Sequence, residues 1–161
     1  SIARAKALNE DVPFYAVARI LDDVEGKKTR AQVSDYLLTG IKRQEKAQRL
    51  NSFPGPTALD EVSLRAWARK AEKEAKLAPK DIYIHQGNER VRDALEIHGI
   101  FERADPDLVT GARVLEYTER KPGPWLGALL REANAAQDAA IFVEEERARS
   151  WIQAKLRALG E

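Results

Sequence analysis

The side chains that do most hydrolytic and metal chemistry are sparse in this sequence. The two histidines, His85 and His98, lie thirteen positions apart, and neither belongs to an H-E-x-x-H pattern that would turn one helix face into a zinc site. Both are read as ordinary partly buried or surface residues. Only five serines occur, none in a G-x-S-x-G elbow. The chain has no G-x-x-x-x-G-K-[ST] phosphate loop. It has no cysteine, which excludes thiol catalysis, disulfide scaffolds and thiolate-bound zinc. These residues give no strong enzyme signature and no metal site.

Cations and bare backbone amides offer a different chemistry, the holding of phosphates. Arg65, Arg69, Lys73, Lys76 and Lys80 recur at steps of four or three, which on a helix puts them on one face. Lys42, Arg43, Lys46 and Arg49 form a second basic cluster. Such stripes neutralise phosphates and release counterions; solvated helix faces carry them too, and Glu72 and Glu74 stand nearby. The sharpest local pattern is Lys121-Pro122-Gly123-Pro124-Trp125-Leu126-Gly127. Two prolines around a glycine fix a turn, Pro124 suits the first helical position, and Gly127 leaves the opening turn bare. Bare N–H groups at a helix start make an anion seat. A rigid connection with Gly127 admitting close packing explains the same residues.

The elements that must position these groups read as helices. The chain has 161 residues, 33% charged and 43% hydrophobic, with 27 Lys and Arg against 26 Asp and Glu and a formal charge of +1. This is the composition of a folded globular chain. No apolar run approaches the roughly 20 residues of a membrane span, and a cytoplasmic location is expected. Methionine is absent even at the start, so Ser1 reads as a processed beginning. A first helix is expected from Pro13, with Phe14, Val17, Ala18, Leu21 and Val24 on one stripe and a stop at Gly26. Thr29 and Gln32 have capping-box spacing for a second, with Val33, Leu37 and Ile41 inward. Ser52-Phe53-Pro54-Gly55-Pro56 breaks it and marks the boundary between an N-terminal lobe, 1–53, and a second region, 57–161. A third helix spans about 59–77, its inward face formed by Leu64, Trp67, Ala68, Ala71 and Ala75. Asp81-Ile82-Tyr83-Ile84-His85 has some strand character. Asn88 caps a short helix ending near Gly99, and further helices surround Val114, start at Pro124 and run from about 144 to 159. The fold expected is all-α, an irregular bundle of about six to eight helices.

Three segments together resemble a known family. Leu108-Val109-Thr110-Gly111-Ala112-Arg113-Val114-Leu115, then Lys121 to Gly127, then Leu129-Leu130-Arg131-Glu132, are similar to the C-terminal region of bacterial CCA-adding tRNA nucleotidyltransferases, of the poly(A) polymerase-like class. There a glycine-led short helix precedes a Pro-Gly-Pro turn, an amphipathic helix and a last helix opening with glutamates, as Glu144-Glu145-Glu146 does here. The resemblance covers 108–156 best; Ser63 to Arg69 resembles the family's helical body. The chain departs from the pattern at Ala112-Arg113, at Val143 and at Ala139-Ala140, where a glycine is usual. The family's catalytic head carries Gly-Gly-x-Val-Arg-Asp and a magnesium-binding Asp-x-Asp. Gly87 to Asp93 and Asp105-Pro106-Asp107 imitate these, but Pro106 suits no central strand.

The resemblance implies a region that holds tRNA while a head absent from this chain adds the 3′ nucleotides with magnesium. The chain itself is expected to be non-catalytic and to need no cofactor. The residues assigned to the RNA backbone are Arg65, Arg69, Lys73, Arg113, Lys121, Gly123 and Gly127. The alternative is a helical protein–protein module with Trp67, Trp125 or Trp151 as exposed anchors.

Overall fold

A computed structural model describes residues 2–8, 11, 14–16 and 41–160. Among them every regular element is helical: α1 (Ile2–Ala7), α2 (Ile41–Ser52), α3 (Glu61–Lys70), α4 (Pro79–Gln86), α5 (Glu89–Ile97), α6 (Gly111–Leu115), α7 (Pro124–Asp138) and α8 (Glu145–Ala158). A π-helical turn, Ala71–Ala75, extends α3. The expected Thr29–Gln32 cap, the stop at Gly26 and the stripe beyond Ala16 lie outside the described residues. The chain forms two compact units, Ser1–Leu59 with Trp67–Ala104, and Asp60–Ala66 with Asp105–Glu161. The proline-rich break after α2 therefore falls inside the first unit, and the residues of α3 are divided between the two.

In the first unit α4 is the buried element. Pro79 occupies its opening turn, where a missing N–H costs nothing. Ile82, Tyr83, Ile84 and His85 are all buried, so apolar character on consecutive positions reflects a helix covered on every side. This corrects the strand reading of 81–85. Gly87 ends the helix at φ +75, a left-handed conformation suited to glycine. The Arg4 guanidinium lies against Gly87, where a Cβ would overlap it, and its Nε donates to Ile84 O at 2.9 Å, covering a free helix-end carbonyl. Asp81 joins three segments, accepting from the Tyr15 hydroxyl and from Lys46 Nζ at 3.0 Å. Asn88 caps α5 as its sequence position predicts, accepting from Val91 N at 3.3 Å.

In the second unit the core is Val109, Val114, Leu129, Ala133, Ala136, Phe142, Ala148, Ile152 and Leu156. Ala148, Ile152 and Leu156 recur every four residues on α8, and Leu129, Ala133 and Ala136 supply the facing stripe of α7. The amide of Gln137, itself buried, ties the incoming chain to α7: Oε1 accepts from Leu108 N at 3.0 Å and Nε2 donates to Pro106 O at 2.8 Å. Two side-chain caps set helix starts. Thr110 Oγ1 accepts from Arg113 N at 3.3 Å for α6, and Asp60 Oδ1 accepts from Ser63 N at 3.0 Å for α3. The hydrogen bonds from Ser63 hold the Asp60 carboxyl below the usual aspartate range.

The end of α7 is a Schellman turn on a residue poorly suited to it. Ala140 has φ +54, its N–H reaches Gln137 O at 2.9 Å, and Ile141 N reaches Ala136 O at 2.9 Å. An alanine in the left-handed region crowds its Cβ against the backbone. Ala140→Gly is therefore expected to raise the unfolding free energy by about 1 kcal/mol, read as a higher midpoint in urea denaturation. Gln137→Leu removes both hydrogen bonds to a segment in which Pro106 is exposed and Leu108 half-buried and should lower stability by about 1–2 kcal/mol; a change below about 0.5 kcal/mol would contradict the tie.

Candidate nucleic-acid interface

The corner leading into α7 is built by its prolines. Lys121, Pro122 and Pro124 are exposed, while Gly123 and Trp125 are half-buried. Gly123 is extended, and a Cβ there would come 3.3 Å from Trp125 Cδ1. Glycine thus leaves the indole room to fold back, and Trp125 Nε1 donates to Lys121 O at 3.0 Å. Arg120 places its guanidinium 5.3 Å from the centre of the Trp125 ring, a cation–π stack that braces the turn.

The backbone seat is narrower than the sequence implied. Pro124 brings no N–H, and Leu126 N already donates to Gly123 O at 3.0 Å. Side chains supply the positive charge instead. Lys121 makes no ion pair among the described residues, and neither does Arg131, which is exposed. Arg131 stands one turn after Gly127 and leans back over it: a Cβ at Gly127 would sit 3.7 Å from Arg131 Nη1. Sequence reasoning missed Arg131 as a member of this corner. The available signal was its spacing of four from Gly127, which stacks the two positions on one helix face.

The other assigned cations are differently placed. Arg65 donates from Nε to Glu61 at 3.0 Å and also pairs with Asp105. Burial opposes its charge, but these two carboxylates outweigh that and raise its pKa. Arg69 is buried, at 7% exposure, not on an open stripe. It follows Ala68 directly, and the buried positions Leu64, Ala68 and Ala71 broaden the inward face of this helix until it includes Arg69. Lys73 is exposed, and Lys80 pairs with Glu102 at 2.6 Å. In the second basic cluster Arg43 pairs with Asp11, Lys46 with Asp81 and Arg49 with Glu45. Arg113 donates to Leu108 O at 2.9 Å and to Glu145 Oε1 at 2.7 Å. That hydrogen bond and the Glu145 charge raise the Arg113 pKa above its already high ordinary value.

Of the assigned residues in the second unit, Lys121, Gly123 and Gly127 share one corner, whereas Arg65 and Arg113 serve local carboxylates. Arg69 and Lys73 belong to the first unit. The imitation of a catalytic head fails on geometry. Arg90 to Asp93 lie on α5, and Asp105 is engaged by Arg65. Among the described residues no group of three His, Asp or Glu is placed to hold a metal ion, and no helix is long and apolar enough to cross a membrane. No family model, curated protein or solved structure matches the chain.

Gly127 can be tested for its role in packing. Its nearest neighbour is the movable end of an arginine at ordinary contact distance, so Gly127→Ala should stabilise α7 by about 0.5–1 kcal/mol. Loss of stability in thermal melts would show that the glycine admits close packing.

Proposed function

We propose that this chain is the tRNA-holding helical region of a CCA-adding-like nucleotidyltransferase, positioning tRNA for 3′-end addition by a catalytic head carried elsewhere. The observation that carries the reading is the coincidence of fold and resemblance. The stretch similar to the family, 108–156, lies within one compact unit closed by Asp105–Glu161, and that unit turns the proline corner and its cations outward. Ala140 adds support: the backbone keeps a left-handed turn after the long helix, where the family usually has glycine.

The corner suits backbone recognition. Lys121 and Arg131 offer ammonium and guanidinium groups beside a braced turn, and such contacts orient a nucleic acid without reading bases. A folded RNA presents phosphates in a fixed arrangement, so shape selects it. Double-stranded stems of tRNA meet that requirement. The tryptophan anchors of the alternative reading are otherwise occupied: Trp67 Nε1 donates to Pro54 O at 3.0 Å, Trp125 closes the corner, and Trp151 packs against Phe142 at 5.5 Å. All three are half-buried.

Lys121→Glu with Arg131→Glu should weaken tRNA binding about tenfold or more at moderate salt and flatten the slope of log K against log salt by roughly one per lost phosphate contact. Arg113 is left intact in this variant because its ties to Leu108 and Glu145 are structural. Fluorescence anisotropy with labelled tRNA reads both quantities. Unchanged affinity and slope in a folded double variant would remove the proposal.

A further inference from the structure

The second unit carries twelve Asp and Glu against nine Lys and Arg, an acidic excess that RNA binding does not use. Part of it lines a cleft of about 480 Å³ between α6 with its following turn and α8. Leu108 gives this cleft apolar surface and Tyr117 an aromatic ring, above the buried Ile152. Its two arginines are committed. Arg113 holds Glu145 and Leu108 O, and Arg149 Nε donates to the Tyr117 hydroxyl at 2.6 Å with its guanidinium 5.4 Å from the ring centre.

The carboxylates of Glu116 and Glu146 make no hydrogen bond or ion pair among the described residues, although the Glu116 charge acts on Arg113 one turn before it. Glu146 lies in the first turn of α8, where the helix dipole favours it. Glu116 follows the last residue of α6, the end at which negative charge is disfavoured. Its one favourable neighbour on that helix is Arg113, three residues before it. With three glutamates against two arginines the cleft's balance is negative, set beside apolar and aromatic surface. That combination suits a cation carried on an alkyl stem, which buries its methylenes and keeps its head at the carboxylates.

The chain just before α8 extends the same surface. Ile141 and Val143 are 61% and 63% exposed on either side of the buried Phe142, and Glu144, Glu145 and Glu146 follow directly. Two large apolar side chains beside three exposed glutamates repel a polyanion and match a partner that is both basic and apolar.

We infer that this surface docks a protein segment bearing Lys or Arg flanked by apolar side chains. The cation enters the cleft toward Glu116 and Glu146 with its stem along Leu108 and Tyr117. The apolar flank covers Ile141 and Val143. This inference rests on the cleft and its neighbours and does not depend on the tRNA reading.

The test uses a short fluorescent amphipathic peptide of lysine and leucine, with a glutamate–leucine peptide as control, titrated with the full chain. The basic peptide should bind and the acidic one should not. Glu116→Gln with Glu146→Gln should weaken binding about fivefold to tenfold, the worth of two lost surface ion pairs, and Ile141→Ser should weaken it independently. Lys121→Glu should leave it unchanged, separating this surface from the RNA corner. Binding untouched by both the double glutamine variant and Ile141→Ser overturns the inference. So does spermidine competition combined with indifference to Ile141→Ser, which would reduce the cleft to a small-cation site.

Discussion

The second unit depends on one apolar seam. Ala148, Ile152 and Leu156 on α8 bury the same helix face turn after turn, and Leu129, Ala133 and Ala136 on α7 join them in one core with Phe142. Both candidate surfaces of this unit are arranged around that seam. The start of α7 is pinned by the proline corner, its end by the left-handed Ala140, and the chain before α6 by the buried Gln137 amide. With both ends of α7 held, the braced turn and the acidic cleft become fixed features of a surface.

Charge is used unevenly. The formal balance is nearly neutral, but the cations divide by task. Arg43, Lys46, Arg65, Lys80 and Arg113 each meet a carboxylate within the fold, and exposed pairs of this kind contribute little to stability. Their effect is to remove positive charge from the surface. What stays open at the α7 corner is Lys121 and Arg131, and in the cleft Glu146 stays open while Glu116 stands near Arg113. A polyanion and a basic partner would therefore address different parts of the same small unit.

Much of the helical framework was legible from local rules. Asn88 as a cap, the break at Ser52 and the start of α7 at Pro124 follow from spacing and from residues with a single strong backbone preference. Of the inward face expected for the last helix (Ala148, Trp151, Ile152, Leu156 and Leu159), Ala148, Ile152 and Leu156 are buried, Trp151 is half-buried, and Leu159, past the helix end, is exposed. The segment 81–85 misled because complete burial erases the polar face that announces a helix. The stripe through Arg65, Arg69 and Lys73 misled for a related reason. Helical periodicity says which residues share a face, but not how wide the buried sector is, and here it takes in Arg69.

Read alone, the sequence determined the helical class, the punctuation of the second unit and the braced proline turn, because each rests on interactions among residues within a few positions of one another. Tertiary structure decided which charges remain available. An arginine's partner is set by whatever carboxylate the fold brings alongside it: Asp105 reaches Arg65 from forty positions away and Glu145 reaches Arg113 from thirty-two. Long side chains of either sign look equivalent along a chain. Only their neighbours in space distinguish a cation that tightens the fold from one that faces a partner.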